Sequence, residues 1–392
     1  MQPVSVLHLV PAVSPGAIER SLYDVLSRLD PQLFRVTVAA TAGPTPPEIR
    51  SRFAAAGIAI VDLAAELGVC GDGLRSQVRA VRTLRDRIRH LAPQIVHTHG
   101  TQHNIYGALA ARLAGVRHIM TQDEDLLAVR GRDRFVLRWT ARYPDVAFVP
   151  THALGDARRT ALASTATRIL HLAHGVDLRL FVPPDEAARR AARAALGLPP
   201  EAFVLGAVGN LLARKRLDVL VDALPHVLGH VPHAHLLIAG DGPEGAALAA
   251  QAKALGVGER LQRTGWLAHP VTAYHALDVF VFLGEGRGET GLTLAEALAC
   301  GLPAVAARNR FAAELAGEHA ALQIEPHARA LAHAVVGLAR ESQSRARLAD
   351  LARTRAVTRF DVEGSARRLE EVYAHCVART LRPRPAQPPR TV

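Results

Sequence analysis

Aromatic side chains are scarce in this sequence, at 4% of 392 residues with two tryptophans. The interleaving of aromatic and basic residues that marks single-strand nucleic-acid binders is absent, as are zinc-finger spacings and helix-turn-helix cues. Cysteine is nearly missing too. Cys70, Cys300 and Cys376 are far apart, odd in number and without metal-ligand spacing, which excludes a disulfide framework and predicts reduced thiols in a cytosolic setting. No run approaches the ~20 apolar residues of a membrane span. The opening MQPVSVLHLVPAV has neither a basic lead nor a small-residue cleavage site, so it reads as a strand rather than a signal peptide.

What is present is a core-forming composition, 49% hydrophobic and 21% charged, in a chain long enough for two α/β domains. Arginine and alanine are so abundant that single surface arginines carry little information. The net charge is +11, so its distribution matters. Arg75, Arg79, Arg82 and Arg89 share one helical face. Arg130, Arg134, Arg138 and Arg142 recur every four residues beside Phe135 and Trp139. Two readings stand: solvated helix faces, or attachment to anionic lipid headgroups or an anionic acceptor.

Short β-type runs alternate with turns and amphipathic stretches. Strands are predicted at Val4–Val10, Phe34–Ala40, Gln94–His97, Val116–Thr121, Asp145–Val149 and Arg168–Leu172, with helices at Ala17–Leu29, Leu74–Leu91, Ile105–Leu113 and Asp133–Ala141. The pattern restarts with strands at Ala202–Gly209, His235–Gly240 and Asp278–Leu283, and helices at Leu217–Leu228, Glu244–Leu255 and Leu292–Cys300. Such alternation predicts parallel sheets covered on both faces. A proline-containing stretch near Gly175–Pro184 divides the halves, and Phe360–Val377 reads as a terminal helix before a Pro/Arg-rich tail expected to be disordered. The expected domains are 1–176, 177–360, a helix 361–378 returning to the first domain, and a tail 379–392. Doubly wound sheets bind ligands at the carboxyl ends of their strands, here in a cleft between domains.

The segment Gly284–Val305, GEGRGETGLTLAEALACGLPAV, carries the most chemistry. A glycine-rich loop runs into a helix whose N-terminal N–H groups and dipole suit a phosphate or sugar hydroxyls. Gly291 allows close backbone approach, and Glu296, about one turn in, can accept from vicinal hydroxyls. Glu296-Ala297-Leu298-Ala299-Cys300-Gly301-Leu302-Pro303 resembles the signature of retaining GT-B glycosyltransferases of family 4. The resemblance implies that Glu296 binds the donor ribose and that Gly291, Leu292 and Thr293 hold phosphate and sugar. The family's first glutamate falls at Gly288; Glu289 is one residue late, either reaching the same place or marking a lost contact. In VGNLLARKRLDVLVDAL, Lys215 falls on the lysine that contacts the diphosphate, while Asn210 stands where relatives have arginine; Arg214 or Arg216 is the candidate replacement.

Further matches extend the resemblance over most of the chain. Gly240-Asp241-Gly242-Pro243 follows a strand; Thr264-Gly265-Trp266 is implied to line the base pocket, with a structural role for Trp266 equally open. Gly16-Ala17-Ile18-Glu19-Arg20 keeps one loop glycine for the donor phosphates. His97-Thr98-His99 ends a strand, where a histidine can donate to a sugar hydroxyl or serve structure. The acidic run Asp123-Glu124-Asp125 is read as selecting an acceptor or repelling a wrong one, with a divalent-cation site as the lesser alternative, and His174-Gly175-Val176-Asp177 as the domain junction.

The implied fold is GT-B, two Rossmann-like doubly wound domains facing a central cleft. The implied activity is transfer from a nucleotide-sugar, UDP- or GDP-linked, to a glycan or lipid-linked acceptor with retention, with no cofactor, no metal and no nucleic acid. Expected catalytic residues are Lys215, Glu289 and His99. Donor contacts fall to Gly16, Asn210, Arg214, Gly240, Thr264, Gly265, Gly291, Leu292, Thr293 and Glu296. The expected location is the cytoplasm, peripherally on the inner membrane face. A degenerate GT-B-like binding protein is the alternative, motivated by Asn210 and Gly288. A nicotinamide oxidoreductase is disfavoured because no G-x-G-x-x-G precedes an acidic residue about 20 positions on.

Overall fold

The run VSVLHLV places Val6 and Val10 on one face of a strand and Leu7 and Leu9 on the other, and all four are buried, in two different cores. Burial on both faces is the condition of a parallel sheet inside an α/β layer structure. The computed structural model describes residues 2–14, 16–67, 74–123, 131–162, 167–284 and 290–381. Its first half comprises β1 (Val4–Val10), α1 (Ala17–Leu26), β2 (Phe34–Ala40), α2 (Pro47–Ala55), β3 (Ala59–Asp62), α3 (Ala64–Leu67), α4 (Leu74–Leu91), β4 (Ile95–His99), α5 (Ala108–Ala114), β5 (His118–Gln122), α6 (Gly131–Thr140), β6 (Val146–Val149), α7 (His152–Leu162) and β7 (Arg168–His171). The strands form one parallel sheet in the order β3-β2-β1-β4-β5-β6-β7.

The second half comprises α8 (Glu186–Ala195), β8 (Phe203–Val208), α9 (Leu217–Leu228), β9 (Ala234–Ala239), α10 (Gly245–Ala254), β10 (Leu261–Gly265), α11 (Val271–Ala276), β11 (Val279–Phe282), α12 (Leu292–Ala299), β12 (Ala304–Ala307), α13 (Arg310–Ala316), β13 (Leu322–Ile324), α14 (Ala328–Arg340), α15 (Ser342–Arg359) and α16 (Val362–Leu381). Its sheet runs β10-β9-β8-β11-β12-β13. The strand order reverses between β1 and β4 in the first sheet and between β8 and β11 in the second, and a crevice opens at each reversal.

Several elements depart from the sequence-level expectation. Helix α8 follows the proline-containing stretch and was not predicted: Asp185 caps it by accepting from the Ala188 N–H at 2.7 Å, a start signal that the neighbouring prolines masked. Arg189 and Arg193 of α8 bind the Asp278 carboxylate, which also accepts from Val204 N–H, tying the helix to β8. A wide helical turn at His103–Gly107 precedes α5, where a regular helix was expected. The terminal helix extends to Leu381, past the expected onset of the tail; residues 382–392 lie outside the described ones.

The halves meet at two chain crossings that pair with each other. Val176 bridges Asp361, and Val176 N–H donates to Phe360 O at 2.7 Å. A side chain on Gly175 would put its Cβ 2.8 Å from Val362 Cα, so glycine is required for this approach. After the second crossing, α16 lays Ala366, Leu369, Tyr373 and Cys376 into the core beneath β1. Helix α1 faces the junction with Arg20 and Asp24 at four-residue spacing, hence on one stripe, and Arg28 follows in the turn after it. Arg28 binds Asp177 and Glu363. On α7, the His152 and Ala153 N–H groups donate to the Glu314 carboxylate of α13, a favourable charge at a helix N-terminus.

Asp24, between the two arginines, has its carboxyl raised to about 6 by burial, against the pull of Arg28. A carboxyl raised in the folded state contributes stability below its unfolded value near 4, and that contribution is lost as pH rises through 6. Asp24→Asn should therefore raise the unfolding midpoint relative to wild type at pH 8, by up to about 3 kcal/mol, and give no advantage at pH 4. Urea melts at the two pH values measure this, and an equal effect at both would refute the assignment.

Candidate functional site

A cavity of about 510 Å³ lies between the two sheets, a size suited to a nucleotide-sized ligand. The end of β1 and the loop to Gly16, Arg20 of α1, and His99-Gly100 after β4 line one wall. The other is made by Gly209-Asn210 after β8, Arg214, Lys215, Gly240 after β9, Trp266, and Thr290, Thr293 and Glu296 around the start of α12. Eight sequence-predicted residues thus share one cavity: Gly16, His99, Asn210, Arg214, Lys215, Gly240, Thr293 and Glu296. Thr264 and Gly265 do not line it; their neighbours Trp266 and Leu267 do. Leu292 lines an adjoining cavity with Thr290 and the β1 and β4 histidines. Gly288 and Glu289 lie outside the described residues.

The glycines divide into two kinds. At Gly240, with φ +142°, a Cβ would fall 2.0 Å from Gly209 O. At Gly291, with φ +74°, it would fall 2.3 Å from Leu315 Cδ1. Both are demanded by backbone and packing. At Gly16 a Cβ would meet nothing described closer than Ser14 O at 4.0 Å. No internal contact demands that glycine, and it faces the cavity.

Lys215 ends a single turn, Ala213–Lys215, with its ammonium 5.6 Å from the centre of the Phe282 ring. Arg216 adopts a left-handed backbone at the start of α9 and pairs with Asp218 at 3.3 Å. Of the two candidate replacements for the family arginine, Arg214 therefore lines the cavity with Lys215 and Arg216 is absorbed by the α9 start.

Helix α12 is buried along all eight residues. Glu296 is 1% exposed and has two partners: Tyr274 donates to Oε2 at 2.6 Å, and Arg20 of the first domain ion-pairs with Oε1. Burial alone would lower the Arg20 pKa; the Glu296 charge outweighs it and holds the guanidinium above its ordinary value. Burial, reinforced by Glu296, raises the Tyr274 hydroxyl, which stays a donor. Neither partner was identified from sequence as a site residue. Arg20 sits in the quoted Glu-Arg pair, whereas nothing local marks Tyr274.

His99 borders both cavities, with Nε2 2.8 Å from His8 Nδ1. Burial, with smaller contributions from His8, His103 and His174, holds it well below the ordinary histidine value, so it is a neutral imidazole. Asp123 does not reach the cleft: it is fully buried, ion-paired to Arg158, and accepts from Asn104 Nδ2 at 2.7 Å. Burial lowers Arg158 to about 10. Asp123 is therefore an interior structural group rather than an acceptor selector; Glu124 and Asp125 lie outside the described residues.

Two family descriptions match the chain: "Glycosyltransferase Family 4" over residues 18–180 and "Glycosyl transferases group 1" over 202–341. A GDP-mannose-dependent alpha-(1-6)-phosphatidylinositol monomannoside mannosyltransferase of Mycolicibacterium smegmatis is 36% identical over 189 residues, 46% of this chain and 45% of that protein. A D-inositol 3-phosphate glycosyltransferase of Segniliparus rotundus is 38% identical over 144 residues, 34% of this chain and 30% of that protein. The matches thus span less than half the length of these relatives. Among solved structures, Anabaena HepE in complex with UDP and glucose superposes with TM-score 0.80 at 21% identity, over 95% of this chain and 100% of that one. Sucrose-phosphate synthase of Thermosynechococcus elongatus gives 0.78 at 18%, over 96% and 100%. The architecture is the two-domain GT-B fold.

Glu296 and Arg20 cannot be separated cheaply, because removing one partner strands a buried charge. Arg20→Ala should lower stability by about 3 kcal/mol, while the double variant Arg20→Ala/Glu296→Gln recovers part of the loss. A double-mutant cycle read by denaturant unfolding checks this; strict additivity would mean that the pair does not couple the domains.

Proposed function

Because the chain belongs to the group 1 glycosyltransferases, we propose that it moves a sugar from a nucleoside-diphosphate donor to an acceptor hydroxyl with retention of anomeric configuration. The observation that carries this reading is that Lys215, Glu296, Gly16 and His99, contributed by both domains, line one cavity. In the proposed reaction the bond from C1 to the diphosphate oxygen breaks as the acceptor oxygen bonds C1 on the same face. The departing phosphate oxygen takes the acceptor proton, so no side-chain base is needed. Lys215 and the start of α12 stabilise the leaving diphosphate. Glu296 holds the ribose after Arg20 gives way, His99 meets a sugar hydroxyl, and Glu289 orients the sugar.

A UDP- or GDP-linked donor is in keeping with the neighbours: one relative is named as GDP-mannose-dependent, and one solved structure contains UDP and glucose. The name of the first relative also supports a lipid-linked or glycan acceptor. Residues of α6 supply a surface for reaching one at the inner membrane face. Phe135 is 76% and Trp139 47% exposed, beside exposed Arg134, Arg138 and Arg142, the last stacked 5.1 Å from the Trp139 ring centre. Apolar and cationic groups on one helix suit an anionic bilayer surface. No helix among the described residues is long and apolar enough to cross a membrane. Flotation with phosphatidylglycerol vesicles should capture the protein, and Phe135→Ser/Trp139→Ser should release it; equal flotation with neutral vesicles would remove the charge argument.

The second reading, a binding protein without turnover, is favoured by Asn210, an uncharged residue where the family resemblance places an arginine. Calorimetric titration with UDP, GDP, ADP and dTDP, with and without attached sugar, separates the two. One nucleotide should bind selectively, and Lys215→Ala should cut turnover ~100-fold or more. Binding without any sugar transfer would support the second reading, and no binding at all would sink both.

A further inference from the structure

Strand register brings three histidines to the reversal point of the first sheet. His8 of β1 pairs directly with His97 of β4, and His99 lies two residues on, hence on the same face. That face is the one covered by α1 and α16. Ring centres are 4.9 Å apart for His8 and His97, 5.1 Å for His8 and His99, and 4.5 Å for His97 and His99. One ring nitrogen from each lies within 4.8 Å of the others.

Hydrogen bonding within this cluster is lopsided. His8 Nδ1 and His99 Nε2 share one contact at 2.8 Å. The Tyr373 hydroxyl takes up the remaining nitrogen of His8, Nε2 at 3.1 Å, and Nδ1 of His97 at 2.7 Å. His97 Nε2 is left buried with no partner, and an unsatisfied buried polar atom costs about 1–3 kcal/mol. Polar atoms this deep are paired unless something else engages them.

We propose that His8 through Nδ1, His97 through Nε2 and His99 through Nε2 bind a divalent d-block cation of borderline softness, zinc being the type. The chemistry of the donors selects it: three neutral imidazoles without a carboxylate suit zinc, cobalt or copper and not magnesium or calcium. Metal–nitrogen bonds of about 2.0–2.1 Å put tetrahedral ligand nitrogens about 3.4 Å apart, between the 2.8 Å and 4.8 Å seen here, so small ring tilts close the site. Tyr373 then has the role of an outer oxygen that receives the far N–H of two ligating histidines and fixes their orientation. The fourth position opens on the cavity that the three histidines line with Gln122 and Thr290. Occupation engages His99 Nε2, the nitrogen that contacts His8 Nδ1.

Cobalt(II) titration of the full chain, stripped with chelator, tests this without reference to activity. One equivalent should produce the visible bands of tetrahedral cobalt, which one equivalent of zinc erases and magnesium leaves unchanged. His97→Phe should abolish the bands. Tyr373→Phe, which keeps all three ligands, should weaken affinity 10- to 100-fold. His152→Ala removes a member of the half-exposed group His152, His171 and Glu314 and should change nothing. Bands that survive His97→Phe, or vanish with His152→Ala, would overturn the proposal, as would a wild-type protein that takes up no cobalt. Should His97→Phe fail to fold, X-ray absorption of the zinc-loaded wild type decides: three imidazole nitrogens support the site, and fewer refute it.

Discussion

The Glu296 carboxylate is the constraint around which the rest of this molecule is arranged. It sits on a helix buried along its whole length, where a charge without partners is prohibitively costly. One partner, Tyr274, comes from the same domain and the other, Arg20, from across the cleft. The carboxylate proposed to hold a ribose is thus satisfied, in this state, by the opposite wall. Ligand hydroxyls that replaced Arg20 would have to compensate the charge as well. The Arg20–Glu296 pair joins the two walls of the cleft in this state. The junction makes relative movement feasible: the chain crosses at Val176 and returns at Asp361, side by side.

Arginine shows where reading composition succeeds and where it fails. The bias towards arginine makes a surface position such as Arg75 or Arg82 uninformative, and both are exposed. Yet arginines also hold the interior. Arg158 neutralises Asp123, Arg193 ties α8 to Asp278, and Arg353 donates to the Ala299 carbonyl at the end of α12. Nothing local separates these from the exposed ones, because their partners lie tens of residues away and only the folded topology sets the distance.

Legibility followed the same divide. VSVLHLV and FRVTVAA are legible as strands because each joins three β-branched residues to other apolar ones, and both span the expected residues. Strand β12, AVAA, is equally buried but mostly alanine, so it carries no strand signal. Leu292–Ala299 and the cavity-lining Lys215 and Glu296 were found because a local motif carries them. The His8–His97 pairing depends on β1 and β4 being neighbours, which sequence spacing does not state; the one hint was a polar residue in the middle of an apolar strand. At Gly291 the φ and the Leu315 side chain also exclude a Cβ, a packing demand that the motif does not state.

The two strand-order reversals differ in chemistry, and the difference bears on which wall takes which substrate. At the second reversal the chain presents Gly209, Gly240, Arg214, Lys215 and the start of α12, a positive and donor-rich surface that suits a diphosphate. At the first it presents neutral histidines and apolar groups, with Glu19 paired to Arg52 and Arg20 paired to Glu296. While Arg20 stays paired, an anion gains less from the first wall than from the second. A neutral polyol, needing directional donors and acceptors rather than charge, finds them on the histidine wall. Field and hydrogen-bonding capacity together are in keeping with the proposed donor orientation, phosphates towards Lys215 and sugar towards His99.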